Sequence, residues 1–139
     1  MALQPYLMFD GHCEEAFRFY EKALGGKIEM LMRFDEAPDQ PPPGMLKPGS
    51  GKKVMHVSLK VGDDLLMGSD DCMEGSTSRF GGFSLSLGVP NAAAADKPFN
   101  ALAEGGKVTM PLDKTFWSPR FGMLIDRYGV SWMVNAQPE

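Results

Sequence analysis

The side chains best able to do chemistry in this sequence lie on short alternating runs. His56, Ser58 and Lys60 are spaced two apart in Val54-Met55-His56-Val57-Ser58-Leu59-Lys60-Val61, a period that puts all three on one face of a strand. His56 is a candidate acid/base or anion-binding group, because imidazole titrates near neutrality; the alternative is a histidine hydrogen-bonded at a sheet surface. Asp70, ending the next run, would orient that imidazole if the two meet, or would satisfy turn amides if they do not. Gln4, Tyr6 and Met8 alternate with Leu3, Leu7 and Phe9, and Ser84 and Ser86 alternate with Phe83, Leu85 and Leu87. Trp117, Arg120 and Phe121 combine rings with a cation, a set that stacks on and charge-pairs with an anionic ligand; a solvated arginine is the alternative. Asp126 opens a hairpin and reads as structural.

These residues are carried by a unit that occurs twice. Gly25-Gly26-Lys27-Ile28-Glu29-Met30 answers to Gly105-Gly106-Lys107-Val108-Thr109-Met110, and the same spacing pairs Leu7 with Leu87, Phe19 with Phe99 and Ala23 with Ala103. The first unit reads as a strand over 3–10, a helix over 12–24 with the apolar stripe Cys13, Ala16, Phe17, Tyr20, Ala23 and Leu24, and strands over 27–34, 54–61 and 65–70. Gly25 suits the left-handed position that ends a helix, and Gly62-Asp63-Asp64 suits a tight hairpin. The second unit reads as strand 82–89, helix 96–104, and strands 107–112, 120–126 and 130–135. The expected fold is α+β: one domain over 1–139 made of two βαβββ repeats, 1–72 and 80–136. In the strand from Val54, Met55, Val57, Leu59 and Val61 should pack beneath the helix, leaving His56, Ser58 and Lys60 on the other face. Two such sheets can cup so that their polar faces line a cleft, with the helices outside. Between Asp35 and Lys53, Pro38, Pro41, Pro42, Pro43 and Pro48 exclude a central strand; the segment is a surface loop, either a lid or a passive insertion.

Composition narrows the field. The 139 residues are 43% apolar and 23% charged, as in soluble globular domains. No apolar stretch approaches the ~20 residues needed to cross a bilayer, and no leader-like segment opens the chain. A formal charge of −4 with scattered basic residues disfavours a nucleic-acid partner. Cys13 and Cys72 form no C-x-x-C pair and fit reduced thiols in the cytoplasm. The run Lys47-Pro48-Gly49-Ser50-Gly51-Lys52-Lys53 lacks the first glycine and the hydroxyl of a phosphate-binding P-loop. No G-x-G-x-x-G follows a strand, so neither a dinucleotide nor a glycine-rich methyl-donor site is indicated.

The paired βαβββ pattern, with Pro5-Tyr6-Leu7-x-Phe9-Asp10-Gly11, Glu15-Ala16, Phe19-Tyr20 and Gly25-Gly26, resembles the vicinal-oxygen-chelate superfamily of glyoxalase I, extradiol dioxygenases and bleomycin resistance proteins. Thr115-Phe116-Trp117, Phe121-Gly122 and Asp126-Arg127-Tyr128-Gly129-Val130-x-Trp132 resemble its PhnB-like branch. The resemblance implies the glyoxalase/bleomycin resistance fold and a homodimer. Its catalytic members hold a divalent metal with four side chains, and their pattern falls on Gln4, Gly68, Ser84 and Met133. Glycine has no ligand atom, methionine is a soft thioether and serine a poor ligand, so no metal site, no cofactor and no glyoxalase reaction is expected, and without a glycine-rich methyl-donor loop no methyltransferase reaction is expected either. The expected activity is binding of a small molecule, with an anionic one favoured, by Gln4, Tyr6, His56, Ser58, Lys60, Asp70, Ser84, Trp117 and Arg120, with His56 the candidate catalytic group should a reaction follow. The alternatives are a metal-dependent lyase or dioxygenase with a shifted ligand set such as Gln4 and His56, or a drug-sequestering resistance protein.

Overall fold

The structure is a computed structural model and describes residues 1–138. The chain divides into two compact units, the first Met1–Arg79 and the second from Phe80 onward. In the first, strand β1 (Tyr6–Phe9) leads into helix α1 (Cys13–Leu24), followed by β2 (Lys27–Arg33), β3 (Val54–Val61) and β4 (Asp64–Asp70). In the second, β5 (Leu85–Val89) leads through a 3₁₀ turn, Ala92–Ala94, into α2 (Asp96–Ala103), then β6 (Lys107–Asp113), β7 (Phe121–Ile125) and β8 (Ser131–Ala136). The two sheets share one topology, β1-β4-β3-β2 and β5-β8-β7-β6, with the first pair of each parallel and the rest antiparallel. The expected pair of βαβββ repeats in an α+β fold is present.

Each helix covers one face of its own sheet because its apolar stripe has nowhere else to go. Cys13, Ala16, Phe17 and Tyr20 of α1 are fully buried, with Phe17 edge-on to Phe9 and Tyr20 at centroid distances of 6.0 and 5.7 Å. Phe99 and Leu102 do the same for α2. The Gly-Gly pair explains the repeat physically. Gly25 and Gly105 have φ of 66° and 76°, a left-handed conformation that glycine adopts without strain. At Gly26 a Cβ would stand 2.6 Å from the Lys60 carbonyl oxygen, and at Gly106 it would collide with the Ile125 carbonyl. The repetition extends to a bulge. Glu29 is the extra residue between the pairs Ile28↔Leu59 and Met30↔Ser58, and Thr109 is the extra residue between Val108↔Leu124 and Met110↔Met123.

Three expectations change. The first strand begins at Tyr6 rather than Leu3, because Pro5 has no N–H to donate, although its carbonyl accepts from Met67 N. Likewise β5 begins at Leu85 rather than Gly82, so Gln4 and Ser84 both lie outside the strands proper. In β3 a bulge at Met55, between His56↔Met32 and Val54↔Arg33, turns Val54 into the core in place of Met55. The proline-rich segment is a loop, as expected, and it is tied down. It opens with a 3₁₀ turn, Phe34–Glu36, and pairs with the segment after β4 through Lys47 N→Cys72 O (2.8 Å), Glu74 N→Met45 O (2.9 Å) and Lys47 Nζ→Ser76 O (2.7 Å).

Gly26→Ala and Gly106→Ala should each lower unfolding free energy by about 1–3 kcal/mol, the range for forcing atoms into a packed site. Gly81→Ala, which meets open space without a positive φ, should stay within about 0.5 kcal/mol. Urea unfolding of the three variants checks this.

Candidate functional site

The face of the first sheet opposite α1 carries most of the candidate residues. One row across it reads Tyr6, Met67, Ser58, Met30; the next places Met8 beside Ser69 and His56 beside Met32; a third brings Leu65, Lys60 and Lys27 together. His56 is half-buried, and its Nδ1 lies 3.2 Å from the Tyr6 hydroxyl, with the rings tilted at a centroid distance of 5.6 Å. Tyr6 thus orients the imidazole and leaves Nε2 without a partner among the described residues. Ser58 is buried between Met30 and Met67. Lys60 is exposed and directly opposite Lys27, and neither has an acidic partner at ion-pair distance among the described residues.

Lys27 was not among the sequence candidates. Its place beside Lys60 depends on register across β2 and β3, which the Glu29 bulge shifts. Met8, Met67 and Met133, which the sequence offers either as an adaptable apolar pocket or as core filler, are joined by others: Met8, Met30, Met32 and Met67 share this face, and Met110, Met123 and Met133 the corresponding face of the second sheet. Thioether chains are polarisable and adaptable, so such a wall accepts varied apolar shapes.

Other predicted residues serve the fold. Asp70 does not meet His56: it is 3% exposed, and its two oxygens accept from Cys13 N and Val54 N, both at 2.9 Å. It therefore replaces the side-chain cap that His12 does not provide for α1. Arg120 gives both Nε (3.0 Å) and Nη2 (2.7 Å) to Asp96 Oδ1 of α2. Trp117 is half-exposed and edge-on to Phe116 and Phe121. Ser84 Oγ pairs with Ser131 Oγ at 2.6 Å, and Gln4 is exposed ahead of β1. Asp126 is structural, accepting from Tyr128 N, Val130 N and Trp132 Nε1. Burial raises both thiols, Cys13 most strongly, which removes them as nucleophiles.

The glyoxalase-type metal positions do not fit a metal. A Cβ at Gly68 would touch the Phe17 ring of α1 at 2.8 Å, so this position faces the helix. Among the described residues no three His, Cys, Asp or Glu side chains converge as ligands. A hollow of about 350 Å³ lies at the start of α1, lined by Glu14, Lys52, Lys53 and Asp70 among others. Most of its charges are already used: Glu14 takes Arg33 Nη1 and Nη2 at 2.9 and 3.1 Å, Lys52 meets Asp35 at 2.9 Å, and Lys53 Nζ donates to the Gly11 carbonyl at 3.0 Å, which leaves Glu15 of the lining residues.

Paired βαβββ units with an open sheet face define a protein of the glyoxalase/bleomycin resistance fold, and an enzyme of the glyoxalase/bleomycin resistance protein/dioxygenase family shares that fold at 14% identity with a TM-score of 0.64. Within that class the chain belongs to the PhnB-like family described as 3-demethylubiquinone-9 3-methyltransferase, which it matches over residues 1–135. It is 32% identical to protein YjdN of Escherichia coli K12, over 98% of this chain and 95% of that one. It is 42% identical to protein PA1353 of Pseudomonas aeruginosa, whose crystal structure superposes with a TM-score of 0.89 over 100% of this chain and 99% of that one. A Bacillus cereus structure titled putative 3-demethylubiquinone-9 3-methyltransferase, PhnB protein, is 28% identical, with a TM-score of 0.78 over 98% and 99% of the two chains.

Asp70→Ala should cost about 2–4 kcal/mol, since two buried N–H groups lose their acceptor, and should broaden amide exchange protection loss at the start of α1. Glu14 is held below the usual carboxylate range, first by its hydrogen bond from Arg33. A depressed folded value stabilises the protein above the unfolded value and is lost as pH falls through the folded one. Glu14→Gln should therefore destabilise at pH 7 by about 1 kcal/mol or less, because the carboxylate is over a third exposed. That difference should shrink steadily as pH falls below the usual carboxylate range and the folded-state carboxylate takes up its proton, as read by urea unfolding across pH.

Proposed function

We propose that the protein binds a small anionic molecule with an apolar body on the helix-free face of the first sheet, without a metal. The observation that carries this reading is the lysine pair. Lys27 and Lys60 stand opposite each other across β2 and β3 with no acidic partner at ion-pair distance among the described residues, a like-charge arrangement that costs stability unless an anion shares it. From there the face runs past Met30, Ser58 and Met67 to the His56–Tyr6 pair, and Lys60 and His56, four residues apart, span roughly 13 Å. An anionic group would sit at the lysines, the apolar body along the thioethers, and His56 Nε2 would meet a polar group at the far end.

In this reading the chain works as a homodimer in the cytoplasm, the assembly that its family likeness implies and the compartment that two free cysteines suit. No helix is long and apolar enough to cross a membrane among the described residues. The family's description names a methyltransferase, but the sequence has no glycine-rich methyl-donor loop, and no methyl transfer is assigned to these residues.

Phenylphosphonate and benzoate titrated by calorimetry provide the test. Wild type should bind at least one of them, Lys27→Gln/Lys60→Gln should weaken it about 5–30-fold at low salt with the effect shrinking at 0.3 M, and His56→Ala should weaken it further without lowering Tm. No binding by wild type, unchanged binding by the lysine variant, or stoichiometric metal in purified protein that His56→Ala removes would overturn the reading.

A further inference from the structure

Three methionines meet in one row on the open face of the second sheet. Met110 of β6 stands opposite Met123 of β7, and Met123 stands opposite Met133 of β8. Residues directly opposite each other in antiparallel strands point to the same side. A strand spacing of about 4.8 Å keeps the outer two roots within about 10 Å, so flexible side chains leaning inward bring three sulfurs to one point. None of the three is buried: Met110 is 42% exposed, and Met123 and Met133 are half-buried. Phe121 and Ile125, two residues to either side of Met123, flank the row on the same face of β7. The first sheet supplies the contrast. Its equivalent row is Met30, Ser58 and Met67, in which Met30 answers to Met110 in the repeat and a serine in the middle separates the two thioethers.

We propose that Met110, Met123 and Met133 form a three-thioether site for a soft monovalent metal ion, copper(I). Thioether sulfur is a neutral, polarisable donor that selects Cu(I), whereas hard and borderline divalent ions take carboxylate, carbonyl or imidazole ligands. The apolar flanks act in the same sense, because the cost of withdrawing an ion from water grows with the square of its charge and so weighs far more on a divalent ion. Softness, which disqualifies Met133 from the glyoxalase-type metal set, is here the property that selects the ion, and the other three positions of that set take no part. The site lies wholly in the second sheet and shares no residue with the anion-binding face of the first, so either assignment can fail without the other.

The test is titration of the full chain with silver nitrate in chloride-free buffer, silver(I) being the redox-stable counterpart of copper(I), followed through the methionine methyl signals by ¹³C NMR. Of the eleven methionine methyls, those of Met110, Met123 and Met133 should shift together and saturate at one ion per chain. Copper(I) added without oxygen should move the same signals, and zinc sulfate should move none of them. Met123→Leu keeps the volume and removes the central sulfur. It should weaken silver binding at least as much as the about 10–100-fold that follows loss of a group merely supporting a metal ligand. Met45→Leu, which changes an exposed methionine of the proline-rich loop, should leave the affinity as it is. Silver held only by the two thiols with these methyls unmoved, shifts spread over exposed methionines such as Met45 and Met73, or unchanged affinity in Met123→Leu would overturn the proposal.

Discussion

A single buried carboxylate organises the first half of this protein. Asp70 closes β4, accepts the first free amide of α1 with one oxygen and the first amide of β3 with the other, and so pins three elements at one point. A helix beginning at His12 lacks a capping side chain, and the strand that emerges from the long proline-rich loop starts at a bulge, between Val54↔Arg33 and His56↔Met32. The same carboxylate answers both needs. With it in place, α1 lies against the Leu7, Phe9, Val57 and Leu59 side of the sheet, and the opposite side is left for function.

What that side offers follows from where charge is spent. Most ionic groups around α1 and the loop neutralise one another: Glu14 with Arg33, Asp35 with Lys52. The second half repeats the habit in Arg120 with Asp96. Lys27 and Lys60 depart from it by facing each other. The thioethers between them and His56 add polarisable contact without fixing a shape, which suits binding more than a demanding geometry such as octahedral or tetrahedral metal coordination.

The doubled architecture was legible because its physical requirements are local. Helix-ending glycine, strand-abutting glycine and alternating apolar residues recur with the same spacing, and each has a reason readable within a few residues. The candidate site was legible only in part. His56, Tyr6, Ser58 and Lys60 fell on one face by alternation alone, but Asp70 and Arg120 look identical in sequence whether they face a ligand or a backbone amide or a helix carboxylate. Gly68 was placed among the superfamily's metal positions, yet packing against Phe17 turns it to the helix. Lys27 was missed because its meaning lies in what stands across the strand.

The sequence by itself determined the class of fold, the number of repeats, the polar face of β3 and the unsuitability of the residue types for a glyoxalase metal, since these depend on side-chain chemistry and short periodicities. Tertiary structure decided which polar groups are free. A one-residue bulge at Glu29, another at Met55 and the meeting of distant segments at Asp70 set register and partnership, and those are settled by the packing of whole elements, a constraint no local pattern contains.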